Sequence, residues 1–238
     1  AYAKLSDGSY VYSNLYQYSP KKYAMSRLAN STNTEMKALC VAMLNYGAAA
    51  QTYFGYKTND LMNAGLTAAQ KALVMDYNAG YFTGAVAADS GKTANFAKTD
   101  GFASKAATVS FEGAFAVNYY FAPNASVAGE MTLHIWTPEA YASATWLTST
   151  NANTVTMVKQ SNGTYWAQVE GIPAKALDST YYVAATYTDT AGNCHCTGVI
   201  AYSLSKYCMG KAADSTMGAL ARATAMYGYY ADQYFLNN

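Results

Sequence analysis

Two histidines, His134 and His195, and four cysteines, Cys40, Cys194, Cys196 and Cys208, are the side chains through which this chain would do nucleophilic or metal chemistry. A Ser-His-Asp site needs one of the two histidines as its base. Both fall in segments that read as strands, outside any recognisable motif, so each is expected to be structural or a surface residue. Cys194-His195-Cys196 has metal-ligand types. On a strand, however, successive side chains point to opposite faces, so His195 turns away from the two cysteines. No second CxxC or HxxxH pair completes a four-ligand set. Glu112, Glu130, Glu139, Glu170 and Asp178 are the carboxylates available for glycoside hydrolysis, and no spacing places two of them across a cleft. No nucleophile elbow, HExxH, P-loop or dinucleotide fingerprint is present. The expectation is a protein that is not an enzyme and uses no cofactor or metal.

Binding is the remaining chemistry. Trp136, Trp146 and Trp166, with Tyr165, are residue types that stack on sugar rings. The competing reading turns Trp136 and Trp166 into a sandwich core, because Trp is mostly buried on average. Trp146, in the polar stretch 142–153, is the strongest platform candidate of the three.

The element that positions the rest is a helix written twice. Residues 36–54 read MKALCVAMLNYGAAAQTYF and residues 217–235 read MGALARATAMYGYYADQYF, with nine of nineteen positions identical. Met36, Leu39, Ala42, Tyr46, Ala50 and Tyr53 repeat at spacings of three and four, one stripe of an α-helix. A glycine inside a helix costs about 1 kcal/mol against Ala, so its presence in both copies (Gly47, Gly228) indicates close packing. The copies differ on the far side, where the second carries Arg222, Met226, Tyr229 and Gln233. Arg and Tyr are favoured interface anchors and Met suits adaptable contacts. That makes these four the second candidate binding surface. The competing reading is a helix tucked under a neighbouring domain.

The duplication extends upstream at an offset of 184 residues: Gly8 meets Gly192, Tyr18-Ser19 meets Tyr202-Ser203 and Lys22-Tyr23 meets Lys206-Tyr207. Each copy then runs strand, glycine turn, strand, short helix, long helix. Thr32 to Glu35 offers a capping box for the first long helix, and Asp214 or Ser215 an N-cap for the second. Tyr10, Tyr12, Tyr16 and Tyr18 share the parity of Cys194, Cys196, Ile200 and Tyr202, which argues for a tyrosine face that is mostly core. The hairpin is either the end of a preceding β unit or a strand pair recruited by the helices. Cys40–Cys208 is the disulfide to test first, with buried free thiols the equal alternative.

A helix is expected over Thr67–Tyr77, capped by Thr67 and closed by Asn78-Ala79-Gly80, followed by a long loop over 88–105. Residues 106–203 carry seven strand-like runs, the spacing of an Ig-like or fibronectin-like sandwich, with a short helix entered at Thr137-Pro138. The fold class is therefore α+β, an Ig-like antiparallel β-sandwich joined to a helical subdomain of two duplicated long helices and an N-terminal β-hairpin. Its parts are 1–104 (hairpin and helices), 105–203 (sandwich) and 204–238, whose helices return to pack on the first part.

Only 12% of residues are charged, against about 25% in ordinary domains, and the net charge is +1. Neither nucleic acid nor an anionic membrane has an electrostatic footprint to meet. Low charge with 24 tyrosines fits an extracellular bacterial module. Residues 1–10 lack signal-peptide features, and the chain begins inside a strand-like run, so it reads as a piece of a longer protein. Lys37, Asn45 and Gln51 argue against a membrane span over 36–54.

The segments EMKALCVAMLNYGAAAQTYFGY (35–56) and CTGVIAYSLSKYC (196–208) resemble modules of large cell-surface proteins of gut Clostridia. Such proteins include adhesins, polysaccharide-binding components and the immunoglobulin-binding superantigens of commensal Lachnospiraceae. The resemblance implies a secreted or surface-attached binding module beside other modules of its chain. Its partner would be a host protein, with an immunoglobulin variable domain the most concrete example. A carbohydrate-binding module using Trp146 or Trp166 and an architectural spacer are the alternatives.

Overall fold

The computed structural model describes residues 2–14, 17–82, 101–143 and 151–237. It is an α+β protein with antiparallel sheets. A hairpin of β1 (Tyr2–Lys4) and β2 (Tyr10–Tyr12) leads into helices α1 (Pro20–Asn30) and α2 (Thr34–Phe54), then the single-turn α3 (Ala68–Lys71). The β region follows, as β3 (Phe102–Ser110), β4 (Phe115–Pro123), β5 (Val127–Trp136), helix α4 (Pro138–Ser143), β6 (Asn153–Thr156), β7 (Val158–Lys159), β8 (Tyr165–Ile172), β9 (Tyr181–Asp189), β10 (Cys194–Cys196) and β11 (Ile200–Tyr202). Helices α5 (Leu204–Lys211) and α6 (Gly218–Asn237) close the described chain.

The caps repeat as the sequence does. Ser19 Oγ accepts from Lys22 N–H at 3.1 Å and Ser203 Oγ from Lys206 N–H at 3.1 Å, starting α1 and α5 at equivalent positions. Asp214 Oδ1 accepts from the N–H groups of Thr216 (2.9 Å) and Met217 (2.8 Å) ahead of α6. At α2 the expectation is corrected. The helix begins at Thr34, so its cap is Asn33, whose Oδ1 accepts from Met36 N–H at 2.7 Å.

The long helices pack against each other, and the equivalent residues Tyr46 and Tyr227 stack with centroids 5.5 Å apart and planes 16° apart. Both interior glycines mark close approach. A Cβ at Gly47 would lie 2.8 Å from Met62 Cγ, and one at Gly228 would lie 2.9 Å from Leu177 Cδ1.

The sheets are ordered β3-β4-β8-β7 and β10-β9-β5-β6, with β11 also on β9. Val117, Tyr119 and Phe121 of β4 share one core with Met131 and Leu133 of β5, Ala167 of β8 and Val183 of β9. Ala42 of α2 and Leu220, Ala221 and Ala225 of α6 belong to the same cluster, so helices and sheets share one interior. Two predicted strands divide. Met157, buried, donates its N–H to Met131 carbonyl at 2.8 Å, and the chain there leaves β5 to pair with β8. Gly198, at φ +70°, separates β10 from β11, and both pair with β9.

Further expectations are corrected, and one open alternative is decided. The helix from Thr67 keeps its capping box with Gln70 but ends after one turn. Leu73 and Val74 then bond three residues back, and Met75 N–H goes to Tyr230 Oη at 2.8 Å. Of the two readings of the cysteines the structure takes the one without a disulfide, for none of the four is in one. Cys40 lies with Ala24 in the α1–α2 cluster, whereas Cys208 lies with Ala221 in the main core, so each crossing takes one Cys and one Ala. Finally, Tyr10, Tyr12 and Tyr18 are exposed rather than core. Tyr16 and residues 88–100 of the expected loop lie outside the described residues, while the loop's last residues, from Phe102, are strand β3 instead.

Candidate binding face

Strand alternation decides which aromatic residues meet solvent. In β8, Tyr165, Ala167 and Val169 point into the core, so Trp166, Gln168 and Glu170 take the opposite face. Cross-strand partners share a face. Ala106, Tyr120, Trp166 and Val158 therefore form one outer row across β3, β4, β8 and β7, and Thr108, Asn118 and Gln168 form the next. Trp166 and Tyr120 are half-buried, while Ala106, Thr108 and Val158 are exposed.

Asn118 holds this face together. It is buried, accepting at Oδ1 from Trp166 Nε1 (3.3 Å) and Gln168 Nε2 (3.0 Å) while donating Nδ2 to Ser110 Oγ (2.8 Å). The indole and the Gln168 amide are thus fixed from the neighbouring strand β4. Because β7 pairs only with Tyr165 and Trp166, the edge of β8 over 167–170 has no strand beside it among the described residues. A cleft of about 580 Å³ opens there, whose lining combines the apolar Ile135, Val155 and Val158 with Trp166, Gln168, Glu170 and Thr156. A ring face flanked by an amide, a carboxylate and hydroxyls suits a polar ligand with apolar faces.

Trp136 sits elsewhere. It is fully buried in a cluster with Tyr141, Ala184 and Cys196 under α4, and its Nε1 donates to Asn151 Oδ1 at 2.8 Å. Trp146 lies outside the described residues. Of the α6 candidates, Arg222 is exposed and donates Nη1 to the Ala212 carbonyl, whereas Met226 is buried in the core. These two, with Asn45, Lys71 and Asp76, line a groove of about 470 Å³ between α2 and α6. Tyr229 is drawn into an aromatic cluster, stacked on Tyr81 (5.7 Å) and edge-on to Phe82 (6.4 Å). Gln233 is half-buried farther along α6 and does not line the groove. Trp166 and the α6 residues are thus on separate surfaces.

The histidines have packing roles. His195 lies flat on Tyr187 (4.6 Å, 18°), and its Nε2 is 2.9 Å from Asp189 Oδ2. That bond first, and those from Asn193 and Ala191, hold the Asp189 carboxyl well below the usual range. Asp189 also accepts from the N–H groups of Ala191 and Asn193, so it ties the β9–β10 turn. A Cβ at Gly101 would meet the His195 ring at 2.3 Å, so backbone closes over the imidazole. His134 is buried with Nε2 2.8 Å from Thr186 Oγ1, and burial lowers its pKa. Among the described residues, no three His, Cys, Asp or Glu side chains gather as metal ligands.

No protein-family model and no curated protein matches the chain. Among solved structures it is similar to a crystal structure of a Br derivative of BhCBM56, at 18% identity and a TM-score of 0.30, over 42% of this chain and 90% of that one. No helix among the described residues is long and apolar enough to cross a membrane.

Sequence reasoning missed Tyr120, Asn118 and Gln168. The alternation Tyr-Trp-Ala-Gln-Val-Glu over 165–170 signals an outward Gln168. Nothing local signals the pairing of β4 with β8, which brings Asn118 and Tyr120 beside it.

Proposed function

We propose that this chain is a non-catalytic, extracellular module of a bacterial surface protein and that it binds a carbohydrate on the Trp166–Tyr120 face of its four-stranded sheet. The observation that carries the reading is the Trp166 indole, held outside the core by Asn118 and Gln168-flanked at an open sheet edge. An aromatic face receives the C–H groups of a sugar ring, and Gln168, Glu170 and Thr156 supply partners for hydroxyls. Fixing the indole in advance lowers the ordering cost of binding. A glycan array probed with wild type and Trp166→Ala tests the proposal. Removing an aromatic anchor costs on the order of 2 kcal/mol, roughly 30-fold in Kd. Glycan binding that survives the substitution unchanged, or no glycan binding at all, sinks the reading.

A second reading rests on Arg222, exposed at the mouth of the α2–α6 groove. There the partner is a host protein such as an immunoglobulin variable domain. Titration against immunoglobulins of different heavy-chain families, with Arg222→Ala as the control, separates the two surfaces. No signal in either assay favours a spacer within a modular surface protein.

A further inference from the structure

The exposed hairpin at the start of the chain repeats, bond for bond, a hairpin that is built into a sheet at its end. In β1–β2 the partners are Tyr2 with Tyr12, Ala3 with Val11 and Lys4 with Tyr10. In β9–β10 they are Thr186 with Cys196, Tyr187 with His195 and Thr188 with Cys194. Every pair is related by the 184-residue offset that relates Gly8 to Gly192. The turns match as well. Leu5 N–H donates to Ser9 carbonyl (2.8 Å) and Gly8 N–H to Leu5 carbonyl (3.0 Å), as Asp189 N–H does to Asn193 (2.9 Å) and Gly192 N–H to Asp189 (3.0 Å). The turn glycines have φ of +86° and +87°. After each hairpin comes a serine-capped short helix and then a long one.

What differs is the surroundings. Strand β9 has β5 along its other edge, with Tyr187 in the main core on one face and Cys196 beneath Trp136 and Tyr141 on the other. Every residue of β1 and β2 is exposed. Tyr2, Tyr10 and Tyr12 gather on the face equivalent to Cys196, with centroids 5.6–6.4 Å apart, and Ala3 and Val11 take the face equivalent to Tyr187. Two strands alone are marginally stable in water, and an unpaired edge flanked by apolar faces is a pairing site.

We infer that β1–β2 is the closing hairpin of another β-sandwich of this same kind: a strand equivalent to β5 pairs along β1, and sandwich and α4-like elements cover its two faces. The occupant is a unit resembling residues 101–185, so that neighbouring units share a hairpin and α1–α2 stand to it as α5–α6 stand to β9–β10. The surface is therefore an interaction site for a like module, separate from the Trp166 face.

Two polypeptides test this. In the first, residues 101–185 are fused directly ahead of Tyr2, because Thr186 and Tyr2 are equivalent. In the second, residues 101–196 replace residues 1–12, carrying the complete hairpin of the other copy into Ser13 and α1. Amide hydrogen exchange is read at Tyr2–Lys4 and Tyr10–Tyr12, or at the grafted hairpin. The expected result is exchange slowed about 100-fold or more in both, relative to the hairpin of the 238-residue chain, the protection of a paired strand. The inference is overturned if the first polypeptide leaves these amides as fast as in the parent while the second protects them, or if neither gains protection.

Discussion

Asn118 is the residue on which the proposed binding face depends, because one buried amide orients both an indole and a second amide. Asn118→Ala removes the acceptor for Trp166 and Gln168 and the donor to Ser110. Losing a buried hydrogen-bonding partner typically costs about 1–3 kcal/mol, so urea unfolding should show a loss of that size. Glycan affinity should fall with it even though Trp166 itself is intact. His134 sets a pH dependence. Its pKa is lowered by burial from an ordinary 6.5, so the unfolded chain takes up the proton first as the solution is acidified. The stability is full above about pH 6.5 and is lost as pH falls below that value toward the lower folded-state one. Unfolding midpoints at pH 7.5 and 5.5 should therefore differ, and His134→Gln should shrink the difference. If His134→Gln leaves the pH difference as it was, His134 is not its source. At this scale the sequence was partly legible. The structural role of the histidines follows from their strand setting. Asn118 carries no local mark, since its partners lie 8 to 50 residues away in the chain.

The helices show which features of an element can be read ahead of its structure. The twice-written stripe placed α2 and α6 correctly because amphipathic spacing is a property of consecutive residues. It also pointed to the glycines as packing sites. The neighbours that fill them, Met62 and Leu177, come from segments with no periodic signal. Gly228→Ala sets a Cβ against three carbons of Leu177, a branched side chain with little freedom to retreat, whereas Gly47→Ala meets the unbranched and more flexible Met62. Overpacking costs about 1–3 kcal/mol and the helix gains about 1 kcal/mol from Ala. Gly228→Ala should therefore destabilise more than Gly47→Ala in paired thermal melts, and equal melting temperatures would contradict the packing described. The expected helix over Thr67–Tyr77 stops after one turn, its next N–H groups bonding three residues back, and Met75 N–H then finds its partner outside the segment, at Tyr230 Oη.

At the level of the whole molecule, residues distant in the chain make one interior. Leu220 and Ala225 of α6 share a cluster with Val117, Leu133 and Val183 of the sheets. Tyr46 of α2 also packs against Phe115 at 5.3 Å and donates to Phe111 carbonyl at 3.2 Å. Helical and β parts should therefore unfold together, with coincident transitions by far-UV circular dichroism and tryptophan fluorescence. Two separated transitions would show that the shared core does not couple them. Composition indicated ample core and the strand count indicated the β region. The alternation of one chain between two sheets at Met157 could not be read, since it depends on which strands lie alongside. The absence of a disulfide among the four cysteines has a practical consequence. Cys194 is exposed, while Cys40, Cys196 and Cys208 are buried, with burial raising the pKa of each of the three and that of Cys208 to about 12. The folded protein thus has a single chemical handle, beside the β9–β10 turn. A thiol reagent should consume one equivalent quickly and the other three only as the molecule opens, so its slow phase is a clock for native-state opening.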